Sequence, residues 1–253
     1  MKIYRFEYRD AIVFGRGDGN DLELVRTEAI ADVPGASSGG ESVPLDSIQL
    51  LTPVAPGKIV AVGRNYADHA RELGNEAPPE PIIFLKPPSA LLAPEGGIVR
   101  PPMSERVDFE GELAVVIGKT ARSVTSARWM DYVLGFTCAN DVTARDLQKR
   151  DVQFTRGKSF DTFLPLGPCV ATALDPSALP IRSRLNGETR QDGNTADMIF
   201  SVADIVVFVS AIMTLDPGDV ILTGTPAGVG PMQSGDTVEI EIEGIGILRN
   251  GVR

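Results

Sequence analysis

Short runs of alternating apolar and polar residues, broken by glycine and proline, recur along the chain and predict strands in preference to long helices. Three such runs, residues 3–8, 11–14 and 22–26, follow one another near the N-terminus. The glycine-rich segment 15–20 separates the last two runs. This spacing predicts a small β-meander.

A change in composition near residue 50 predicts a boundary between two parts of the chain. Residues 34–40 are rich in proline, glycine and serine, which is typical of a loop. Pro53 and Pro56 then precede residues 58–62, which have the pattern of a short buried strand. We therefore predict a small N-terminal β domain at 1–54 and a larger catalytic domain at 55–253.

The second half of the chain adds one helix and further hairpins. Ser201 and Asp204 resemble a capping box, and the apolar stretch that follows predicts a buried helix. Asn186 and Gly187 form a two-residue hairpin signal, and Gly244 predicts a turn between the terminal strands. Together the elements predict a β-rich fold of the α+β class.

The segment 107–117 combines an apolar strand pattern with acidic residues. Because side chains alternate across a strand, Glu110 and Glu112 would point to one face, roughly 7 Å apart at their Cα atoms. Asp108 would share that face. The opposite face would carry Val107, Phe109, Leu113, Val115 and Ile117.

Two carboxylates held this close repel each other, and burying either one alone is unfavourable. A divalent cation that bridges Glu110 and Glu112 removes both problems, and hard oxygen ligands favour Mg²⁺, Mn²⁺ or Ca²⁺ over zinc. The alternative is a strand whose acidic face is exposed to solvent. The segment alone is compatible with both interpretations.

A short helix followed by a proline-rich loop is predicted next to the strand at 58–62. Residues 63–74 have the pattern of a strand end and one or two helical turns. Asn65 is the expected N-cap and Gly74 the expected C-terminal stop. The proline-rich residues 76–81 cannot join the interior of a sheet. They predict a flexible lid over substrate, or else an ordinary rigid connection.

The single histidine of the chain, His69, lies in this predicted helix. Glu72 follows three residues later, so the two side chains would meet on one helical face. A carboxylate beside an imidazole orients the ring and raises its basicity, which suits a general base. Alternatively, His69 only packs against Tyr66 and Leu73.

A third cluster of polar residues follows the apolar run at 134–140, which predicts a buried strand and then a helix. Asp141 either caps that helix or supplies a third carboxylate to the cation. Arg145 and Gln148 would project together as donors for an anionic oxygen. Lys158 is either a surface lysine or a semi-buried cation that neutralises a substrate carboxylate or an enolate.

Composition and charge restrict the class of partner. The chain has 253 residues, 43% hydrophobic and 23% charged, which is typical of a globular protein with a sizeable core. Its net charge of −10 argues against nucleic acid or an anionic membrane as partner. Cys138 and Cys169 predict buried reduced thiols, with a disulfide as the lesser alternative. The N-terminus lacks a signal-like pattern and no apolar run approaches about 20 residues, so we expect a cytoplasmic protein.

Five separated blocks resemble the fumarylacetoacetate hydrolase superfamily, over about residues 55–250. Any one block would be weak evidence, but five in the family's order are specific. The first contains Gly63-Arg64-Asn65-Tyr66, His69 and Glu72, and the second is Asp108-Phe109-Glu110-Gly111-Glu112-Leu113. The other three are residues 140–148, 158–161 and 218–226.

The resemblance implies a fold, a cofactor and a set of site residues. The fold would be a β-sandwich roll with flanking helices, usually in a homodimer. The residues implied to hold Mg²⁺ or Mn²⁺ are Glu110, Glu112 and Asp141. The implied catalytic residues are His69, Glu72 and Lys158. The residues implied to contact substrate are Arg145, Gln148 and Thr225.

One departure narrows the resemblance. Fumarylacetoacetate hydrolase itself supplies a fourth acidic ligand upstream of its histidine, whereas residues 60–63 have no acidic side chain. The chain is therefore similar to the smaller members, which include acylpyruvate hydrolases, oxaloacetate decarboxylases and 2-hydroxyhepta-2,4-diene-1,7-dioate isomerases.

The activity implied by this group is chemistry on a C–C bond next to a 2-oxo acid, through a metal-stabilised enolate. Acylpyruvate hydrolysis or oxaloacetate decarboxylation is the leading expectation. The first alternative is the hydroxyheptadienedioate isomerase of aromatic catabolism. The second is a catalytically silent β-rich binding module, in which the acidic faces are solvated and His69 only packs.

Overall fold

The computed structural model of the protein describes residues 1–37, 39–72 and 74–253. This part of the chain contains three β-sheets and four short α-helices. The strands are β1 (Lys2–Tyr8), β2 (Ala11–Gly17), β3 (Asp21–Val25), β4 (Ser42–Pro44), β5 (Ile59–Gly63), β6 (Ile82–Lys86), β7 (Leu91–Leu92), β8 (Gly97–Ile98), β9 (Val107–Phe109), β10 (Gly111–Ile117), β11 (Val133–Asn140), β12 (Thr143–Ala144), β13 (Leu164–Ala171), β14 (Pro180–Leu185), β15 (Glu188–Asn194), β16 (Val220–Leu222), β17 (Gly230–Pro231), β18 (Thr237–Ile242) and β19 (Gly246–Val252). The α-helices are α1 (Ala67–Glu72), α2 (Arg145–Arg150), α3 (Thr155–Lys158) and α4 (Val202–Ile212). Within these ranges no helix has the length and apolar character needed to cross a membrane.

The predicted N-terminal meander is present and is joined to the rest of the fold. β1, β2 and β3 are antiparallel neighbours, and β4 continues the ladder. β1 also pairs with β13, with Ile3 opposite Val170, so the meander forms one end of an 11-stranded sheet. The order of this sheet is β4-β3-β2-β1-β13-β11-β10-β16-β5-β6, with β7 beside β13. The division into two domains at residue 54 stays a prediction.

A five-stranded sheet, in the order β15-β14-β18-β19-β8, packs against the large sheet and forms the second layer of a sandwich. Leu113 and Val115 of β10 share one hydrophobic core with Ile240 of β18. Ala114 and Val116 point the opposite way and belong to a second core. The fold is thus the predicted β-rich α+β sandwich, with β10 buried on both faces.

The predicted continuous strand over 107–117 is wrong. β9 pairs with β12 and β17, whereas β10 pairs with β11 and β16 in a different sheet. The break falls at Glu110, whose N–H donates to the Asn140 side chain and whose carbonyl accepts from Asp141. These bonds satisfy the backbone where the chain changes sheets, so the regular ladder is not required there.

Asn65 is a buried anchor of the segment that leads into α1, not the predicted N-cap. The side-chain oxygen of Asn65 accepts a hydrogen bond from the Phe200 N–H at 2.8 Å. Its side-chain nitrogen donates to the carbonyls of Phe200 and Thr223 at 3.0 and 2.8 Å. The predicted stop is present, because Gly74 follows α1 with φ of +73°, a conformation that favours glycine.

The other local signals are confirmed. Ser201 and Asp204 form a complete capping box at the start of α4. Asn186 and Gly187 connect β14 to β15 with φ of +54° and +81°, as a two-residue hairpin requires. Gly244, with φ of +81°, lies in the turn between β18 and β19.

Cys138 and Cys169 are buried free thiols on the neighbouring strands β11 and β13, as predicted. Burial raises the pKa of Cys169 to about 11. The thiol therefore stays protonated at neutral pH, which disfavours oxidation.

Replacing Asn65 by alanine is expected to lower the free energy of unfolding by about 2–4 kcal/mol, because one N–H and two carbonyls lose their partner in a buried position. Chemical denaturation of wild type and variant measures the change. Asn20→Ala is the control, since Asn20 is exposed and its replacement should matter by less than about 0.5 kcal/mol. Equal stabilities of the two variants would contradict the anchoring role.

Candidate active site

The three predicted metal ligands meet where β10 and β11 lie side by side. Glu110 precedes β10, Glu112 is within it, and Asp141 follows β11. Gly111 lies opposite Asn140 in this antiparallel pair. Asp141, which follows Asn140, therefore donates its N–H to the Glu110 carbonyl at 2.9 Å. Carboxylate oxygens of the three acids lie within 4.8 Å of one another. All three are between 2% and 4% exposed, so the interpretation as a solvated strand face is wrong.

Buried lysines neutralise two of these carboxylates. The Lys158 ammonium donates to Glu110 at 2.7 Å and to Asp141 at 2.6 Å. Lys86 reaches Asp141 from β6, also at 2.6 Å. Burial alone would raise the pKa of Glu110, but Lys158 and Arg145 hold it well below its usual range. Lys158 is therefore a buried cation within the site, and the surface-lysine interpretation is wrong.

Within the described residues, Glu112 has no cation at ion-pair distance. The one hydrogen bond of its carboxylate there comes from the Gly224 N–H at 2.8 Å. Burial and the charges of Asp141 and Glu110 raise its pKa well above the usual value. A dication shared by the three carboxylates would remove this repulsion, and oxygen donors suit Mg²⁺ or Mn²⁺. The donor set therefore fits the implied metal.

His69 and Glu72 form the predicted pair on α1. His69 Nδ1 lies 3.3 Å from a Glu72 oxygen, and the imidazole is buried. The Gly228 N–H donates to both Glu72 oxygens, at 3.2 and 3.3 Å. An ionised carboxylate only accepts, so this contact favours the tautomer that carries the hydrogen on Nδ1. Of the alternative packing partners, Tyr66 is buried, and Leu73 lies outside the described residues.

Of the two predicted donors on α2, Arg145 already donates to neighbouring side chains, and Gln148 accepts from it through its side-chain oxygen. Arg145 donates to Asp108 at 2.9 Å and to Glu110 at 2.5 Å. It also donates to Gln148 at 2.7 Å. The helix begins at Arg145, so Asp141 is not its N-cap. Arg145 thus positions the carboxylate of Glu110, a predicted metal ligand, and contact of Arg145 and Gln148 with substrate stays a prediction.

Thr225 lies against the peptide that joins the two glutamates. Its hydroxyl donates to the Gly111 carbonyl and accepts from the Gln191 side chain, both at 2.8 Å. Gln191 in turn accepts from the Gly111 N–H at 3.0 Å. A Cβ on Gly111 would collide with the Ser183 hydroxyl, so glycine is required there. Thr225 and Gln191 therefore fix the peptide that spaces the two glutamates, and contact between Thr225 and substrate stays a prediction.

The sequence does not identify three residues that support the site. Lys86 ends an apolar strand before two prolines, and Gln191 is the one fully buried side chain of the polar strand β15. Asp108, expected on the same face as the metal ligands, pairs with Arg106 and Arg145 instead. Lys86 and Gln191 reach the site through strand pairing with residues distant in sequence, which leaves no local pattern. The contact of Asp108 with Arg145 depends on β9 lying beside β12.

A cavity of about 360 Å³ opens onto this cluster. This volume lies within the range of about 300–1,000 Å³ for small-molecule sites. The predicted site residues in its lining are His69, Glu110, Glu112, Asp141, Arg145, Gln148, Lys158 and Thr225. The remaining predicted residue, Glu72, contacts the cavity through His69.

Comparison with known proteins identifies one family. Residues 58–253 match the family model described as fumarylacetoacetate (FAA) hydrolase C-terminal. The structure of 5-carboxymethyl-2-hydroxymuconate delta-isomerase from Mycobacterium smegmatis is similar, with a TM-score of 0.91 and 43% identity. The match covers 100% of this chain and 99% of that one.

Two further relatives have different names. The mitochondrial oxaloacetate tautomerase FAHD2A of Bos taurus is 46% identical over an alignment of 223 residues, and the match covers 83% of this chain and 71% of that protein. The fumarylpyruvate hydrolase from Pseudomonas aeruginosa, in complex with Mn²⁺ and pyruvate, is 34% identical with a TM-score of 0.75. That match covers 81% of this chain and 91% of the other.

Glu112→Gln is expected to remove most of the stabilisation that Mn²⁺ gives the wild-type protein, because a neutral amide replaces a charged ligand. Without metal the variant should be at least as stable as wild type, because the buried repulsion is gone. Thermal unfolding with EDTA and with Mn²⁺ measures both effects. Glu243→Gln, at an exposed position, is the control. An undiminished Mn²⁺ response in Glu112→Gln would refute the ligand assignment.

The raised pKa of Glu112 gives a pH dependence. The ordinary value is 4.5, and in the metal-free folded protein the group keeps its proton to higher pH. The stability that this raised pKa contributes to the folded protein is present in full when the pH is below the ordinary pKa. It is lost as the pH rises through the higher pKa of Glu112 in the folded protein. Mn²⁺ must displace this proton, so its apparent affinity should increase over the same window.

Calorimetric Mn²⁺ titrations at several pH values check this expectation. The stability difference between metal-free wild type and Glu112→Gln should change in parallel, in favour of the variant as the pH rises. An affinity for Mn²⁺ that does not vary with pH would show that Glu112 carries no displaceable proton.

Proposed function

The chain belongs to the fumarylacetoacetate hydrolase family, and on this basis we propose that it is a divalent-metal-dependent enzyme acting on a 2-oxo acid. The observation that carries the proposal is one cavity lined by three clustered, buried carboxylates and an imidazole that is paired with Glu72. A metal site next to a base suits the removal or return of a proton beside a carbonyl group.

Glu110, Glu112 and Asp141 would hold Mg²⁺ or Mn²⁺ through hard oxygen donors. The bound ion supplies a Lewis acid that neutralises the negative charge developing as the 2-oxo acid becomes an enolate. Mn²⁺ in the related fumarylpyruvate hydrolase supports this choice of cofactor. Lys158 and Arg145 contribute by keeping Glu110 ionised and in place.

His69 would exchange the proton with carbon 3 of the substrate. The hydrogen bond from Nδ1 to Glu72 fixes one tautomer and one ring orientation, and the Gly228 N–H holds the carboxylate. Nε2 is then the basic atom, on a ring that lines the cavity together with the metal-site carboxylates. A buried ring held in this way needs little reorganisation when the proton moves.

Proton transfer at carbon 3 is the first candidate reaction. Two relatives with more than 40% identity are named as a tautomerase and an isomerase. Both names describe rearrangement within one molecule and not cleavage. A single base is sufficient for such a reaction, because the same group can remove a proton and return it.

Cleavage of a C–C bond is the second candidate, as acylpyruvate hydrolysis or oxaloacetate decarboxylation. A base that takes a proton from carbon can also take one from water, so the pair of His69 and Glu72 suits hydrolysis. The relative named as a fumarylpyruvate hydrolase supports this candidate. Decarboxylation would need stabilisation of the enolate without an attacking water.

A homodimer is part of the proposal. Within the described residues, β6 lies at one edge of the large sheet. The unpaired backbone groups of an edge strand are usually covered by another part of the protein or by a partner. Leu85 on this strand and Val152 after α2 are 53% and 100% exposed, which supports contact with a second copy. Light scattering of the purified protein measures the oligomeric state, and a mass of two chains is expected.

An assay panel with Mn²⁺ separates the candidate reactions. Enol and keto oxaloacetate report tautomerisation, and release of pyruvate from oxaloacetate reports decarboxylation. Acetylpyruvate and fumarylpyruvate report hydrolysis, and 2-hydroxyhepta-2,4-diene-1,7-dioate reports isomerisation. We expect turnover that EDTA abolishes. A protein that turns over none of these compounds would instead be the silent binding module.

His69→Gln is expected to lower kcat by about 10²–10⁴-fold and to leave the stabilisation by Mn²⁺ intact, because it removes the base and no ligand. Glu110→Ala should lose both turnover and the response to Mn²⁺. Steady-state rates and thermal unfolding measure the two properties. Asp68→Asn, an exposed position on the same helix, is the control. Full activity of His69→Gln would show that another group moves the proton.

A further inference from the structure

Arg64 lines the same cavity as His69 and the three carboxylates. It lies between β5 and α1 and is partly exposed. Its guanidinium has no hydrogen bond or ion pair with any residue of the described ranges. A side chain with five donors in a fixed fork is therefore available to an anion that enters the cavity.

The other charged groups of the cavity lining are already engaged or more exposed. Lys158 and Arg145 both contact metal-site carboxylates. Asp151, the acidic residue outside the metal cluster, is paired with Arg156. Lys149 is exposed, so water competes for its ammonium. Among the described residues of the cavity lining, Arg64 is thus the partly buried cation whose donors are free.

The backbone holds Arg64 in an uncommon conformation. Its φ is +58°, in the left-handed region that favours glycine. The flanking residues fix it there, because Gly63 pairs with Ile82 and the Asn65 side chain binds the Phe200 N–H. Strained residues held by their surroundings are concentrated at functional sites.

Building on the proposed function, we propose that Arg64 binds the second carboxylate of a dicarboxylic 2-oxo acid and makes the enzyme prefer such substrates. The carboxylate next to the keto group would bind at the proposed metal site, so a distal carboxylate would need another cation in the cavity. Guanidinium and carboxylate can form two parallel hydrogen bonds. Partial burial strengthens this contact relative to one with an exposed lysine.

The test compares ligands that differ in the distal carboxylate. Arg64→Met keeps the length of the side chain and removes its charge. With Mn²⁺ present, it should lower kcat/KM for oxaloacetate roughly 100-fold, mainly through KM, and leave kcat/KM for acetylpyruvate within about threefold. Arg64→Lys should restore part of the loss. Arg150→Met, at an exposed position on α2 outside the cavity lining, is the matched control and should change neither value.

Calorimetric binding gives a second measurement that does not need turnover. With Mn²⁺, Arg64→Met should weaken binding of 2-oxoglutarate roughly 100-fold and leave binding of 2-oxobutyrate unchanged. Equal weakening of both ligands, or of neither, would overturn the assignment. If wild type binds 2-oxoglutarate through Arg64 but turns over none of the assayed compounds, the proposed reaction fails and this inference stands.

Discussion

The structure depends on the electrostatics of three carboxylates buried within 4.8 Å of one another. Such a group is stable only if its charge is compensated, because burial and mutual repulsion both disfavour ionisation. Lys158 and Lys86 compensate part of it. Glu112 is the remainder: burial, together with the charges of Asp141 and Glu110, raises its pKa. A divalent ion would complete the compensation, so the charge balance supports the proposed metal site.

Two local features of the backbone bring this cluster and the base together. The change of sheet at Glu110 frees its backbone groups to bind Asn140 and Asp141, which places the carboxylates side by side. The loop after β16 then contacts both functional groups, since the Gly224 N–H binds Glu112 and the Gly228 N–H binds Glu72. The same short loop therefore positions a proposed metal ligand and the carboxylate partner of the proposed catalytic imidazole.

The sequence predicts those parts of the site that a local pattern encodes. Glu110 and Glu112 are two residues apart, and His69 and Glu72 three apart, so strand and helix periodicity bring each pair together. It does not predict the break at Glu110, because that break depends on a side chain 30 residues away. The sequence does not predict the supporting role of Gln191 either, since one buried glutamine in a polar strand has no pattern of its own.

The central claim is that Glu110, Glu112 and Asp141 share one divalent ion. X-ray diffraction from crystals grown with Mn²⁺, at a wavelength where Mn²⁺ scatters anomalously, tests it most directly. The account predicts one strong anomalous peak within coordination distance of an oxygen from each of the three side chains. Mn²⁺ bound elsewhere, with these three oxygens uncoordinated, would contradict it.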